Sequence, residues 1–132
     1  MQRLFVVSHT HWDREWYEPF QVFRLRLVQC IDKLLVLFEN DPEYEYFLLD
    51  GQTIVLEDYG EVRPDREQAL RVLVGAGKVQ IGPWYVLPDE FLVSGESLIR
   101  NLMRGLRVAG DFGGGMHIGY IPDPFGHVSQ MP

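Results

Sequence analysis

Leu4, Phe5, Val6 and Val7 form an unbroken apolar run. With no polar position to face water, it predicts a strand over residues 3–8 covered on both faces, as in a parallel sheet. A different period follows. Phe20, Phe23, Leu27, Ile31, Leu34 and Phe38 recur at steps of three and four, and Arg24, Arg26, Gln29, Asp32 and Lys33 fill the other faces. That is the apolar stripe of a long helix, which Asn40-Asp41-Pro42 stops. Cys30 sits inside the stripe and reads as core packing. Residues 46–49 predict a second strand ending in Asp50-Gly51. A short helix over residues 53–59 follows, with Thr53 as its cap. Pro64 opens a helix that runs to about Val74 and is closed by Gly75 and Gly77. Residues 79–81 predict a third strand, ending in Gly82-Pro83-Trp84. Ser94 is the N-cap of a fourth helix whose apolar side is Leu98, Leu102, Leu106 and Ala109, and Gly113, Gly114 and Gly115 end it. Residues 117–121 predict a fourth strand, followed by Pro122-Asp123-Pro124-Phe125-Gly126-His127.

Strands alternating with helices indicate an α/β fold with parallel strands. In such folds the sites lie at the carboxyl ends of the strands. Four segments then converge on one rim: His9-Thr10-His11-Trp12-Asp13, Asp50-Gly51-Gln52, Gly82-Pro83-Trp84-Tyr85 and Asp123-Pro124-Phe125-Gly126-His127. Histidine, aspartate and tryptophan together suit a metal and a flat ligand such as a sugar ring. Composition narrows the field. The net charge of −7, from 12 basic and 19 acidic residues, argues against sequence-independent binding to nucleic acid. No apolar run reaches the roughly 18 residues of a membrane span, and none makes a secretory core. One cysteine excludes an internal disulfide and a cysteine-rich metal site. A cytoplasmic protein is expected. No helix follows residues 117–121 to cover that strand. The 132 residues are therefore expected to be the first part of a larger catalytic domain, against the competing reading of a complete small α/β domain.

In extended chain, residues two apart lie on one side, about 6.6 Å apart, and residues four apart about 13 Å. One ion can thus take His9 with His11, or His11 with Asp13, and spacing does not choose between them. Either way Trp12 points to the opposite side. His127 is close enough to Asp123 in sequence to orient it or to bind in its own right. Asp89 and Glu90 read as a solvated loop, and His117 as a strand residue. The three glycines from Gly113 precede a strand and not a helix, the wrong order for a phosphate cradle.

Four segments carry a family resemblance: Ser8-His9-Thr10-His11-Trp12-Asp13-Arg14-Glu15-Trp16, Leu49-Asp50-Gly51-Gln52-Thr53, the stretch from Gly82-Pro83-Trp84-Tyr85 to Pro88-Asp89-Glu90, and Pro122-Asp123-Pro124-Phe125-Gly126-His127. Together, and in this order, they resemble the class II α-mannosidases of glycoside hydrolase family 38, most of all the bacterial branch. The resemblance implies a seven-stranded β/α barrel of which this chain supplies the first part, and one zinc ion. It implies His11, Asp13 and Asp123 as zinc ligands, Asp123 also as catalytic nucleophile, and Trp16 and Phe125 as aromatic residues of the sugar subsite. A fourth ligand, a histidine, and the acid/base aspartate are implied further along than residue 132. The expected activity is zinc-dependent retaining hydrolysis of terminal α-mannosyl linkages, for which the remainder of the catalytic domain is a needed partner. Mannose carries its 2- and 3-hydroxyls on one side of the ring, which suits a single cation. Two other classes compete: a metal-dependent enzyme like the polysaccharide deacetylases, with Asp123 as base, and a non-catalytic fragment that binds zinc or sugar.

Overall fold

A computed structural model describes residues 2–131. The apolar stripe from Phe20 folds as predicted into helix α1 (Phe20–Asn40), which buries Phe23, Leu27, Val28, Ile31, Leu34 and Leu35. The chain then enters strand β1 (Phe47–Gln52), the short helix α2 (Ile54–Gly60), helix α3 (Glu67–Gly75), strand β2 (Val79–Trp84) and helix α4 (Gly95–Asp111). β1 and β2 are parallel neighbours, Phe47 opposite Val79 and Gln52 opposite Trp84. A parallel pair needs a crossover, and α2 with α3 supplies it. One core results: Leu27, Ile31 and Leu35 of α1, Leu49 of β1, Val55, Leu56 and Tyr59 of α2, Leu70 of α3 and Val79 and Ile81 of β2. The alternation of helices with parallel strands stands as read from the sequence.

Both strands run further than the apolar pattern indicates. β1 takes in Asp50, Gly51 and Gln52, and β2 takes in Gly82, Pro83 and Trp84. Polar residues inside a strand must then be buried, and Asp50 and Gln52 are. At the helix starts, α3 begins three residues after Pro64 and not at it. Thr53 does not cap α2: its hydroxyl is buried with no partner among the described residues. Ser94 does cap α4, accepting from the Ser97 N–H at 3.2 Å.

Two predicted strands are not formed. Leu4, Phe5, Val6 and Val7 are 61–89% exposed. Only the end of that segment finds a partner, where Leu48 N–H donates to Ser8 O at 3.0 Å and Thr10 N–H to Leu48 O at 3.1 Å. No described element lies over residues 4–7, so their side chains stay in water. Residues 117–121 run beside β2 without joining it. The Met116 N–H donates to Ile81 O at 2.8 Å. Two residues on, the same edge of β2 presents Pro83, which has no N–H to give. The Trp84 indole N–H instead holds Tyr120 O, at 3.1 Å.

α4 packs on β2 through small residues. Gly105 and Ala109 are buried, whereas Leu98 and Leu102 are half-buried and Leu106 exposed. A Cβ at Gly105 would overlap Pro83 O, Trp84 C and Tyr85 N. The helix thus lies directly on the strand backbone, and its leucines line a groove of about 520 Å³ facing Ile118 and Ile121. Among the described residues no helix is long and apolar enough to cross a membrane.

Candidate functional site

The carboxyl ends of β1 and β2 lie side by side, and the segment leading to His11 comes up parallel to β1. Two residues beyond the bonds to Leu48, a regular parallel ladder would carry the Trp12 N–H to the backbone of residue 50. The Asp50 side chain takes it instead, with Oδ2 at 2.9 Å. Asp50 is fully buried and also accepts from the Gln52 amide at 2.8 Å and from the Gly51 N–H at 2.6 Å. The same Gln52 amide donates to Trp12 O at 2.6 Å, and Gln52 Oε1 accepts from the Leu87 N–H at 3.4 Å. Burial pushes the Asp50 carboxyl above its ordinary pKa, and the bonds from Gln52, Gly51 and Trp12 oppose that shift.

Held in this way, Trp12 turns its ring toward the core. His11 and Asp13 face the other side, with Nε2 and Oδ1 3.9 Å apart and both side chains at least a third exposed. The shared side expected for residues two apart is what forms. Of the two pairs open to the sequence, the one brought together is His11 with Asp13. They open into a cleft of about 470 Å³ lined also by Arg14, Gln52, Val86 and Leu87, within the usual size of small-molecule sites. Arg14 does not reach into it as a free charge. Its guanidinium grips the buried Asp58 of α2 in two bonds of 2.6 and 2.8 Å, and the Asp58 bond raises its pKa further. Asn101 of α4 secures the opposite lip: Oδ1 accepts from the Tyr85 and Val86 N–H groups at 3.0 and 2.9 Å, and Nδ2 donates to Val86 O at 2.7 Å.

The Asp123 segment is anchored separately. Asp123 has a φ of 55°, a left-handed conformation uncommon for a residue with a side chain and more tolerated by aspartate than by most. His127 does not orient it. The His127 ring meets Glu90 through Nδ1 at 2.9 Å, and the Val128 N–H donates to the same carboxylate at 2.8 Å. Glu90 is therefore a buried anchor and not part of a solvated loop. The His127 bond, then the Val128 bond, hold its pKa below the ordinary value. Gly126, at a φ of 133°, lies so close to Phe91 that any side chain would overlap the ring. Trp16 and Phe125 are 74% and 84% exposed, and His117 is exposed in irregular chain.

An imidazole beside a carboxylate is the donor chemistry of zinc, so the His11–Asp13 pair fits that ion. Among the described residues no three His, Cys, Asp or Glu side chains are grouped to hold one metal, and Asp123 is not gathered to the pair. The sequence reading missed Asp50 and Gln52 as anchors, along with Asn101 and Glu90. The signal for the first two was an acid and an amide directly after Leu48-Leu49, where a continued strand must bury them.

Known proteins share this fold and sequence. A solved α-mannosidase from Enterococcus faecalis V583 superposes with a TM-score of 0.91 at 49% identity, covering 94% of this chain and 14% of the other. A Halalkalibacterium halodurans protein, provisionally named a mannosylglycerate hydrolase, is 48% identical over 96% of this chain. An α-mannosidase of Saccharomyces cerevisiae is 31% identical over the whole of it. The chain spans 14% of the Halalkalibacterium relative and 12% of the yeast one. Residues 1–132 match the family described as "Glycosyl hydrolases family 38 N-terminal domain", and this chain belongs to glycosyl hydrolase family 38.

Proposed function

We propose that this chain carries the zinc-binding and nucleophile-bearing part of a retaining glycosidase acting on terminal α-mannosides, built on the first strands of a seven-stranded β/α barrel. The observation that carries the reading is the paired His11 and Asp13 at the carboxyl end of a parallel strand pair, in a family 38 chain. The names of the relatives support the substrate class, since each acts on a mannosyl compound by name.

His11 and Asp13 are the first two ligands in this reading and Asp123 the third. A zinc ion held by these residues would fix the Asp123 carboxylate for attack and would favour distortion of the sugar ring toward the oxocarbenium shape. The Asp123 carboxylate attacks the anomeric carbon. The bond from that carbon to the leaving oxygen breaks, and a second carboxyl group, expected beyond residue 132, gives the leaving oxygen its proton. Retaining enzymes hold the two carboxyl groups about 5–5.5 Å apart. Water, activated by the second group, then releases mannose with its configuration kept. Trp16 and Phe125 are the aromatic faces available to the C–H side of the sugar. Uniting Asp123 with His11 and Asp13 requires residues 122–128 to sit differently from their position here.

The test is trapping. The intact protein is incubated with an activated 2-fluoro mannosyl donor and its peptides are mapped by mass spectrometry. A mannosyl adduct on Asp123, absent in Asp123→Asn, is expected. An adduct on another residue, or none in an active enzyme, overturns the assignment. Turnover of an aryl α-mannoside by the 132-residue chain alone would remove the acid/base from its expected place.

A further inference from the structure

Two peptide planes separate the His11 side chain from that of Asp13. One holds the Trp12 N–H, the other the Trp12 C=O. Rotation of either would swing the two side chains apart. Each plane is fixed by a buried group of β1: Asp50 Oδ2 on the N–H at 2.9 Å and the Gln52 amide on the C=O at 2.6 Å. The two fixing groups are bonded to each other at 2.8 Å, and Asp50 Oδ1 is held by the Gly51 N–H. Both fixing residues are buried, Asp50 fully and Gln52 at 4% exposure. A buried carboxylate with three donors and no cationic partner is costly to keep, and here one of its bonds, and one from its partner Gln52, end on the one residue between two ligand candidates.

We propose that Asp50 and Gln52 are positioning residues, a clamp on the Trp12 backbone that sets the direction of His11 and Asp13 toward a shared zinc ion. The proposal rests on the metal reading given above. Groups behind metal ligands typically change affinity by about 10–100-fold when removed.

Asp50→Asn puts an amide N–H against either the Gly51 or the Trp12 N–H. Gln52→Met keeps the volume and removes the donor to Trp12 O. Both variants of the purified protein are titrated with zinc chloride against a chromophoric chelator, well below each melting temperature. Tyr59→Phe is the control, because it removes a buried hydroxyl bonded to Asp32 at 2.8 Å, away from the cleft. Zinc Kd is expected to rise about 10–100-fold in both clamp variants and to stay at the wild-type value in Tyr59→Phe. Unchanged Kd in the clamp variants overturns the proposal, as does an equal rise in the control. Hydrogen exchange at the Trp12 amide, in protein without metal, reads the clamp independently. It is expected to accelerate in Asp50→Asn, and unchanged protection overturns the clamp. A wild-type protein that binds no zinc overturns the metal reading instead, and the exchange result alone then judges the clamp.

Discussion

At the scale of single residues, the site depends on side chains whose neighbours decide what they do. His11 and Asp13 are open and adjacent, so His11→Ala removes one of two gathered donors without disturbing the core. Calorimetric zinc titration is expected to show binding lost in this variant, and an unchanged affinity would take His11 out of the site. Glu90 is the reverse case, a buried acid that holds the Asp123 segment through His127 and Val128. Its carboxyl titrates below its ordinary value, first because of the His127 bond. The folded state therefore binds fewer protons than the unfolded state between the lowered value and the ordinary glutamate value of about 4.3. The stabilisation is complete above the ordinary value and is lost as pH falls through the folded one. Melting of wild type and Glu90→Gln, compared from about pH 6 down to pH 3, is expected to show a gap that closes on acidification. A gap that widens would contradict this sign.

At the scale of elements, close approach sets the architecture more than apolar area does. α4 lies on β2 because Gly105 presents no side chain to Pro83 O, Trp84 C and Tyr85 N. Gly105→Val must push the helix off the strand. Overpacking of this kind typically costs about 1–3 kcal/mol, readable by chemical denaturation, with loosened Tyr85 and Val86 amides because Asn101 moves with the helix. Ser94→Ala removes the cap bond and is expected to cost about 0.5–2 kcal/mol, mostly as fraying of the first turn of α4. These contacts also explain what the sequence could convey. The long stripe from Phe20 and the Ser94 cap were legible because helix period and capping are local signals. The ends of β1 and β2 were not, because Asp50, Gln52 and Trp84 are strand residues through the pairing of β1 with β2, and their polar groups are satisfied by Trp12 and Tyr120, 36 to 40 positions away. The same distance hid Glu90, whose partners lie 37 and 38 residues further along. The His11–Asp13 pair was legible from spacing as one of two options, and the folded chain makes the choice by setting Nε2 and Oδ1 3.9 Å apart.

At the scale of the whole molecule, one core coexists with apolar surface that no described residue covers. Leu27, Ile31, Leu49, Val55, Leu70 and Ile81 close the interior, so Ile31→Ala is expected to cost about 2–5 kcal/mol. Against this, Leu4, Phe5, Val6 and Val7 stand in water, as do Ile99, Met103 and Leu106 along α4. Apolar surface gathered in patches drives association, while a net charge of −7 opposes it. The balance is open to experiment on the 132-residue chain. Leu4 and Val6 are two apart and almost wholly exposed, so Leu4→Lys with Val6→Lys removes half of the strip and touches no core contact. The paired substitution is expected to shift the denaturation free energy by no more than about 0.5 kcal/mol, the usual range for surface changes. It is also expected to lower both the binding of a hydrophobic dye and the concentration dependence of sedimentation. A loss of several kcal/mol would mean instead that the strip is packed within the folded chain in solution. Within the full barrel proposed above the same pair should be far more damaging, because a strand run with no polar position suits a sheet covered on both faces. The contrast between the two measurements therefore tests whether residues 4–7 are a barrel strand waiting for its cover.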